Sequence, residues 1–182
     1  MTFFGVVAAG TFPVLADDAV SLRLPTVSDY AAWVNERSES HAFLKPWEPT
    51  WSAEDLTRAS FKRRVRRVQR EAAEQNGFAF LIFRRDDDAL LGGVTLSNIR
   101  RGVAQSCSLG YWMSVRHAGR GYMRRAVSLV LEFAFGELRL HRVEAACIPG
   151  NGRSLGLLEK AGFVREGYAR RYLMIDGRWQ VL

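Results

Sequence analysis

Only two cysteines, Cys107 and Cys147, occur in 182 residues. Their number and separation exclude a disulfide framework and a thiolate metal-ligand spacing, so no metal is expected. Each falls in a segment that reads as a strand, where a buried and inert thiol is the default. Such cysteine usage fits a reducing, cytoplasmic setting. No apolar run approaches the roughly 20 residues that cross a bilayer, which leaves no membrane partner. The opening M-T-F-F-G-V-V-A-A-G resembles a signal h-region, yet it lacks a basic n-region and runs straight into Pro13-Val14-Leu15. Residues 1–18 therefore read as an extension that adds an edge strand. There is no internal repeat and no linker, and nothing resembles an RNA-recognition motif or a helix-turn-helix. At 48% hydrophobic, residues 1–182 suffice for a single domain with a real core.

Periodicity orders that domain. Val20–Leu24 alternates as a strand. Thr26 or Ser28 caps a helix reaching about Glu39, with Tyr30, Trp33 and Val34 inward. The stretch His41–Trp51, punctuated by Pro46 and Pro49, reads as a loop. Ser52 and Asp55 imitate a capping box that opens a helix to about Gln75, with Phe61, Val65, Val68 and Ala72 facing inward. Phe78–Phe83 and Leu90–Ile99 form a hairpin, and Ala104–Val115 a third strand. On that strand Ser106, Ser108, Trp112 and Ser114 make a polar face that either holds a peptide or meets water. A helix follows from about Gly119 to Phe135, then a strand Arg142–Ile148, a helix Arg153–Ala161 and a hairpin turning at Asp176-Gly177. Strands first in meander and then separated by a helix imply a mixed sheet in an α+β domain.

The stretch V-R-H-A-G-R-G-Y-M, Val115–Met123, lies where the third strand gives way to the helix. An Arg-x-x-Gly-x-Gly turn there presents bare N–H groups at the positive end of a helix dipole, a pocket for phosphate oxygens. A ligand-free tight turn is the competing reading. A dinucleotide fingerprint needs a third glycine where Arg124 stands, although Glu144 lies at the distance of its ribose-binding acid. A P-loop is excluded because no Gly-Lys-Ser/Thr follows.

A second motif decides between these. Residues 151–163 read N-G-R-S-L-G-L-L-E-K-A-G-F, directly after a short strand. With both motifs in order, the chain resembles the GNAT superfamily of acetyl-CoA-dependent N-acyltransferases over roughly residues 20–180. His141–Ala145, Gly167–Tyr172, Asp176–Trp179 and Leu44-Lys45-Pro46-Trp47-Glu48-Pro49 resemble more narrowly the RimJ/RimL type, which acetylates N-terminal amines of ribosomal proteins. The resemblance implies a central mixed, mostly antiparallel sheet with a splayed parallel strand pair and flanking helices. It implies acetyl-CoA as co-substrate. Relatives of this type continue past the last residues with Asp-His and an apolar run, so the final strand is expected to be short or trimmed and the sheet edge less covered.

Carried over residue by residue, the resemblance places pantetheine and the thioester carbonyl on N–H groups around Met113 and Val115. Arg116, His117, Gly119, Arg120, Gly121, Tyr122 and Met123 would take the pyrophosphate, with Arg120 or Arg124 for charge pairing. Asn151 and Ser154 match the second cofactor segment. A tyrosine general acid common in the superfamily is replaced here by Leu158, and Ser154 matches the serine that RimL-like enzymes use near the coenzyme sulfur. Glu48, in a loop expected to overhang the acceptor groove, is the first candidate base and Glu144 the second. Trp47, Trp112 and Tyr172 are candidate acceptor-binding residues; Trp33 and Trp51 are either groove or core.

The net charge of +7 favours an acidic partner, such as coenzyme A or nucleic acid. It does not favour a basic ribosomal protein, unless ribosomal RNA lies beside the acceptor. Lys62, Arg63, Arg64, Arg66, Arg67 and Arg70 cluster on one helix and either grip such phosphates or form a solvated face. The leading expectation is acetyl transfer to a protein N-terminus. The alternatives are acetylation of a small amine or antibiotic, and a non-catalytic module that binds coenzyme A or RNA.

Overall fold

The computed structural model describes residues 12–182 and the backbone of Phe3–Phe4. Strand β1 (Phe3–Phe4) pairs with β2 (Leu15–Ala16), and β2 with β3 (Val20–Arg23), all antiparallel. The N-terminal segment thus adds strand at the sheet edge; residues 1–2 and 5–11 lie outside the described residues. A 3-10 turn over Val27–Asp29 leads into helix α1 (Tyr30–Glu39). Its start is fastened by Asp29, which accepts from the Thr26 N–H at 2.7 Å and from Arg23 through two bonds of 2.7 and 2.8 Å. Burial pushes the Asp29 carboxyl up, but these donors outweigh it and hold it below the usual carboxylate range.

Two sequence expectations fail in the next segment. His41–Trp51 is not a plain loop: it contains α2 (His41–Leu44) and a 3-10 turn over Lys45–Trp47, pinned to the core by Leu44, which is buried. The following helix, α3 (Arg58–Ala73), begins five residues later than its capping pattern implied. Asp55 does accept from the Ser52 N–H at 2.7 Å, but such a bond closes an isolated turn as readily as a helix start. The cap of α3 is Thr57, whose hydroxyl accepts from the Ser60 N–H at 3.2 Å.

Strands β4 (Phe78–Arg84), β5 (Leu90–Arg100) and β6 (Ser106–Met113) form an antiparallel meander. Helix α4 (Tyr122–Glu132) crosses back over the sheet and ends in a π-helical turn, Phe133–Glu137. It delivers β7 (Arg142–Ala145) parallel to β6. Among the described residues the sheet therefore runs β1 to β7 in sequence order, mixed but mostly antiparallel. After α5 (Gly152–Lys160), a hairpin of β8 (Leu173–Ile175) and β9 (Arg178–Gln180) forms a separate two-stranded sheet. It does not continue the main sheet beside β7. Instead its turn docks on the loop after α2, with the Asp176 N–H donating to the Glu48 carbonyl at 3.0 Å.

Helices cover both faces, which is why β4 and β5 read as near-continuous apolar runs. On one face Ala126, Val127 and Val130 of α4 pack against Leu22, Ile82, Leu91 and Leu96. On the other, Trp33 of α1 and Phe61 and Val65 of α3 pack against Leu81, Phe83 and Leu90. The expected polar face of β6 is consequently only half exposed. Ser106 and Ser114, at its two ends, are buried.

Where β5 meets β6 there is no room for a side chain at Gly92. A Cβ there would lie 2.3 Å from the Trp112 carbonyl oxygen, which is backbone and cannot swing aside. Gly92→Ala should therefore pry the two strands apart and lower stability by about 2 kcal/mol, read as a drop in denaturant midpoint at unchanged slope.

Candidate active site

The pairing of β6 with β7 stops early. Cα partners run only from Ser106–Arg142 to Leu109–Ala145, while β6 stays paired to β5 as far as Met113. Backbone groups point to alternate edges along a strand. Since the Ser114 N–H donates to the Leu91 carbonyl of β5 at 2.9 Å, those of Tyr111 and Met113 face the opposite edge, where β7 has diverged. The gap opens into a cavity of about 1100 Å³. Gly110–Met113 form one wall and Ala145–Ile148 the other, and the first turn of α5 closes one side.

At one end the cavity meets the turn between β6 and α4. Gly119 (φ 78°) and Gly121 (φ 83°) both adopt the left-handed conformation, and Gly121 is the N-cap of α4 with no side-chain cap. The first N–H groups of α4 are thus left for a ligand, at the positive end of the helix. His117, Arg120, Tyr122, Met123 and Arg124 line the same end. Burial holds the His117 imidazole below its ordinary pKa; Glu36 pulls the other way, while Arg84, Arg116 and Arg120 add to the lowering. The ring is therefore neutral at pH 7, and its Nδ1 is buried without a partner among the described residues.

Two residues expected on the coenzyme, Val115 beside the pantetheine and Arg116 at the pyrophosphate, are elsewhere. Val115 and Arg116 do not line the cavity. The Val115 N–H donates to the Ser40 hydroxyl at 3.0 Å. The Arg116 guanidinium pairs with Glu36 and, at 3.1 Å, with Glu39. Glu36, nearly buried, also accepts from the Ser114 hydroxyl at 2.5 Å. Helix α1 therefore clamps the strand end that carries the glycine turn, and these polar groups position the turn without facing a ligand. Glu36 and Ser40 carry no sequence motif, and the apolar periodicity of α1 is too weak to mark which of its positions face inward.

Asn151 and Ser154 both line the cavity. Asn151 caps α5, its side-chain oxygen accepting from the Ser154 N–H at 3.1 Å. The Ser154 hydroxyl lies 2.6 Å from the Tyr111 hydroxyl. Cys147 lies beyond the end of β7 and lines the cavity too, whereas Cys107 is buried in β6, its thiol pushed up to about 11 by burial and by Glu144.

The other end of the cavity is edged by Phe43, Trp47, Glu48 and Trp112. Glu48 is no free base: both carboxylate oxygens accept from Arg37, at 2.8 and 2.6 Å, and one also from the Trp51 indole at 2.9 Å. Arg37 in turn lies between the rings of Trp51 and Trp112. Glu144 is outside the cavity, paired with Arg142 at 2.8 Å and Arg100 at 3.5 Å. Tyr172 is exposed on the hairpin approach and does not reach the cavity. Trp33 is core, as its alternative reading allowed.

A split parallel pair, a bare glycine turn at a helix start and a capped serine form one continuous channel. The family model for the acetyltransferase (GNAT) domain matches residues 20–164. This chain belongs to the GNAT acetyltransferase family. It is an N-acetyltransferase, and the family's co-substrate is acetyl-CoA. The chain is 33% identical to the ribosomal protein uS5-alanine N-acetyltransferase of Escherichia coli over 168 residues, covering 91% of this chain and 86% of that one. The ribosomal-protein-S5-alanine acetyltransferase of Vibrio fischeri superposes with a TM-score of 0.86 at 32% identity, over 92% of each chain. RimJ of Mycobacterium smegmatis, solved with CoA-disulfide, superposes at 0.84 with 31% identity, over 89% of this chain and 78% of that one. Among the described residues no helix is long and apolar enough to cross a membrane.

Acetyl-CoA suits this GNAT channel: a Cβ at Gly119 or Gly121 would meet nothing within 4 Å, so the turn stands open where a diphosphate would dock. Gly121→Val puts a β-branched residue into a left-handed conformation and covers those N–H groups. Its affinity for coenzyme A, measured by calorimetry, should fall at least about tenfold, roughly 1.4 kcal/mol, with the far-ultraviolet circular dichroism unchanged.

Proposed function

We propose that this enzyme acetylates the α-amine at the N-terminus of a protein, that the protein is ribosomal, and that the reaction takes place in the cytoplasm. The observation that carries this reading is the open acceptor end of the channel. Trp47 there is 37% exposed, so a chain terminus can enter while the rest of the acceptor stays outside. A small free amine would be better served by an enclosed end. The resemblance to the uS5-alanine acetyltransferases over nearly the whole chain points the same way.

Bound acetyl-CoA would supply an activated acyl carbon. The residues proposed to hold it are the Met113 N–H in the strand gap and His117, Gly119, Arg120, Gly121, Tyr122 and Met123 around the glycine turn, with Asn151 and Ser154 at α5. The Met113 N–H faces the gap, as required of a donor to the thioester oxygen; such an oriented donor lowers a barrier by about 3 kcal/mol. Trp47 and Trp112 flank the incoming terminus, and Glu48, locked by Arg37, is a rigid wall that can accept a hydrogen bond from the amine. Water takes the amine proton. An N-terminal amine has a pKa near 8, against about 10.4 for lysine, so a neutral fraction is present at pH 7 without a strong base. Holding it in line supplies much of the rate. Ser154 protonates the leaving sulfur.

Incubation with acetyl-CoA and a panel of peptides ending in different residues, read by mass spectrometry, tests the acceptor class. The expected product carries acetyl on the N-terminal amine, with internal lysines unmodified; acetylation of lysines alone would overturn the reading.

The solvent face of α3 carries Lys62, Arg63, Arg66, Arg67 and Arg70, all exposed. Among the described residues the one ion pair on this face joins Arg67 to Glu71 at 3.7 Å. Those cations are proposed to face ribosomal RNA beside the acceptor, which reconciles a charge of +7 with a basic substrate protein. Replacing Lys62, Arg63 and Arg66 with Gln should flatten the salt dependence of ribosome or RNA binding by nearly one unit of log-log slope for each phosphate no longer neutralised. Activity on an isolated peptide should stay unchanged.

A further inference from the structure

Many members of the superfamily place a tyrosine where this chain has Leu158. Leu158 is buried in the core, so that route to a phenol is closed. The fold brings another phenol to the channel from a different element. Tyr111, on β6, puts its hydroxyl 2.6 Å from the Ser154 hydroxyl, and both residues line the cavity. Ser154 is fixed from a second direction by its N–H bond to Asn151 in the first turn of α5.

Either hydroxyl can donate in this pair, and the setting favours Tyr111 as the donor. Burial raises the Tyr111 phenol above its ordinary pKa, against the opposing hydrogen bond from Ser154 and with Cys147 adding to the rise. The phenol keeps its proton at any working pH and, being half-buried, needs an acceptor for it. Ser154 Oγ is the acceptor at hand. A serine that accepts from Tyr111 has its own hydrogen free to turn into the channel.

We propose that Tyr111 is a positioning residue: by donating to Ser154 Oγ it aims the serine hydrogen at the leaving sulfur. This rests on Ser154 as the acid. As the C–N bond forms and the C–S bond breaks, Ser154 gives its proton to sulfur. It regains one from the water that accepted the amine proton, so no net proton is gained or lost. Tyr111 keeps its proton throughout.

Tyr111→Phe removes the hydroxyl and leaves the ring. Its kcat should fall about tenfold, the effect of one ordinary hydrogen bond. KM for acetyl-CoA and the calorimetric Kd for coenzyme A should stay within about twofold, and the melting temperature should hold. Ser154→Ala should fall about a hundredfold, the scale of a lost general acid, and adding Tyr111→Phe to it should cost nothing more. If Ser154→Ala is slow while Tyr111→Phe retains full kcat, or if the two losses multiply in the double variant, the role of Tyr111 is overturned and Ser154 stands. If Ser154→Ala turns over at the wild-type rate, the acid assignment itself falls.

Discussion

Everything at this site depends on two parallel strands that part company. While β6 and β7 are paired, from Ser106 to Leu109 on one side and Arg142 to Ala145 on the other, their backbone groups satisfy each other. Past that point β6 continues, held on its other edge by β5, and β7 does not follow. The facing N–H and C=O groups then lack strand partners, along the half-buried wall of the channel. Such unpaired backbone groups are open to a partner, and the ligand proposed to supply one, as an added strand would, is the extended, amide-bearing pantetheine. The channel is therefore a consequence of incomplete pairing, and its position fixes where the acyl group can lie.

The divergence is useful only if the turn at its end is held still. That task falls to α1, through Glu36 and Ser40. Their bonds to Ser114, Val115 and Arg116 fasten the last residues before the glycine turn. Among the described residues the N–H groups of Gly121 and the first turn of α4 have no partner, so the turn is held in place without using its own donors. The same division of labour appears at the acceptor end. Arg37 and Trp51 occupy the Glu48 carboxylate, and in doing so stiffen the loop that carries Trp47.

Local chemistry was legible where it depends on backbone conformation. The glycine turn, the Asp176-Gly177 hairpin and the apolar face of α3 follow from residue type and spacing, and each stands where its pattern implied. Element starts were less legible. Ser52 and Asp55 make the bond their spacing suggests, yet the helix waits for Thr57, because a capping bond is local while a helix needs a buried face to continue. Side-chain roles were the least legible. Glu48 and Arg116 have the right charge for catalysis and for phosphate, but each found an opposite charge from α1, and no spacing rule relates residues so far apart in sequence.

By itself, the sequence determined the class of chemistry: a bare Gly-x-Gly turn before a helix and an Asn-x-x-Ser helix start are backbone features whose geometry is encoded within a few residues. Tertiary structure decided which side chains face the reaction. Tyr111 and Ser154 are 43 residues apart and meet only because β7 diverges and α5 folds back across the gap. Glu36 turns inward because α1 packs against β5, beside the residues that follow β6. Such contacts arise from the packing of whole elements, so no local pattern foretells them.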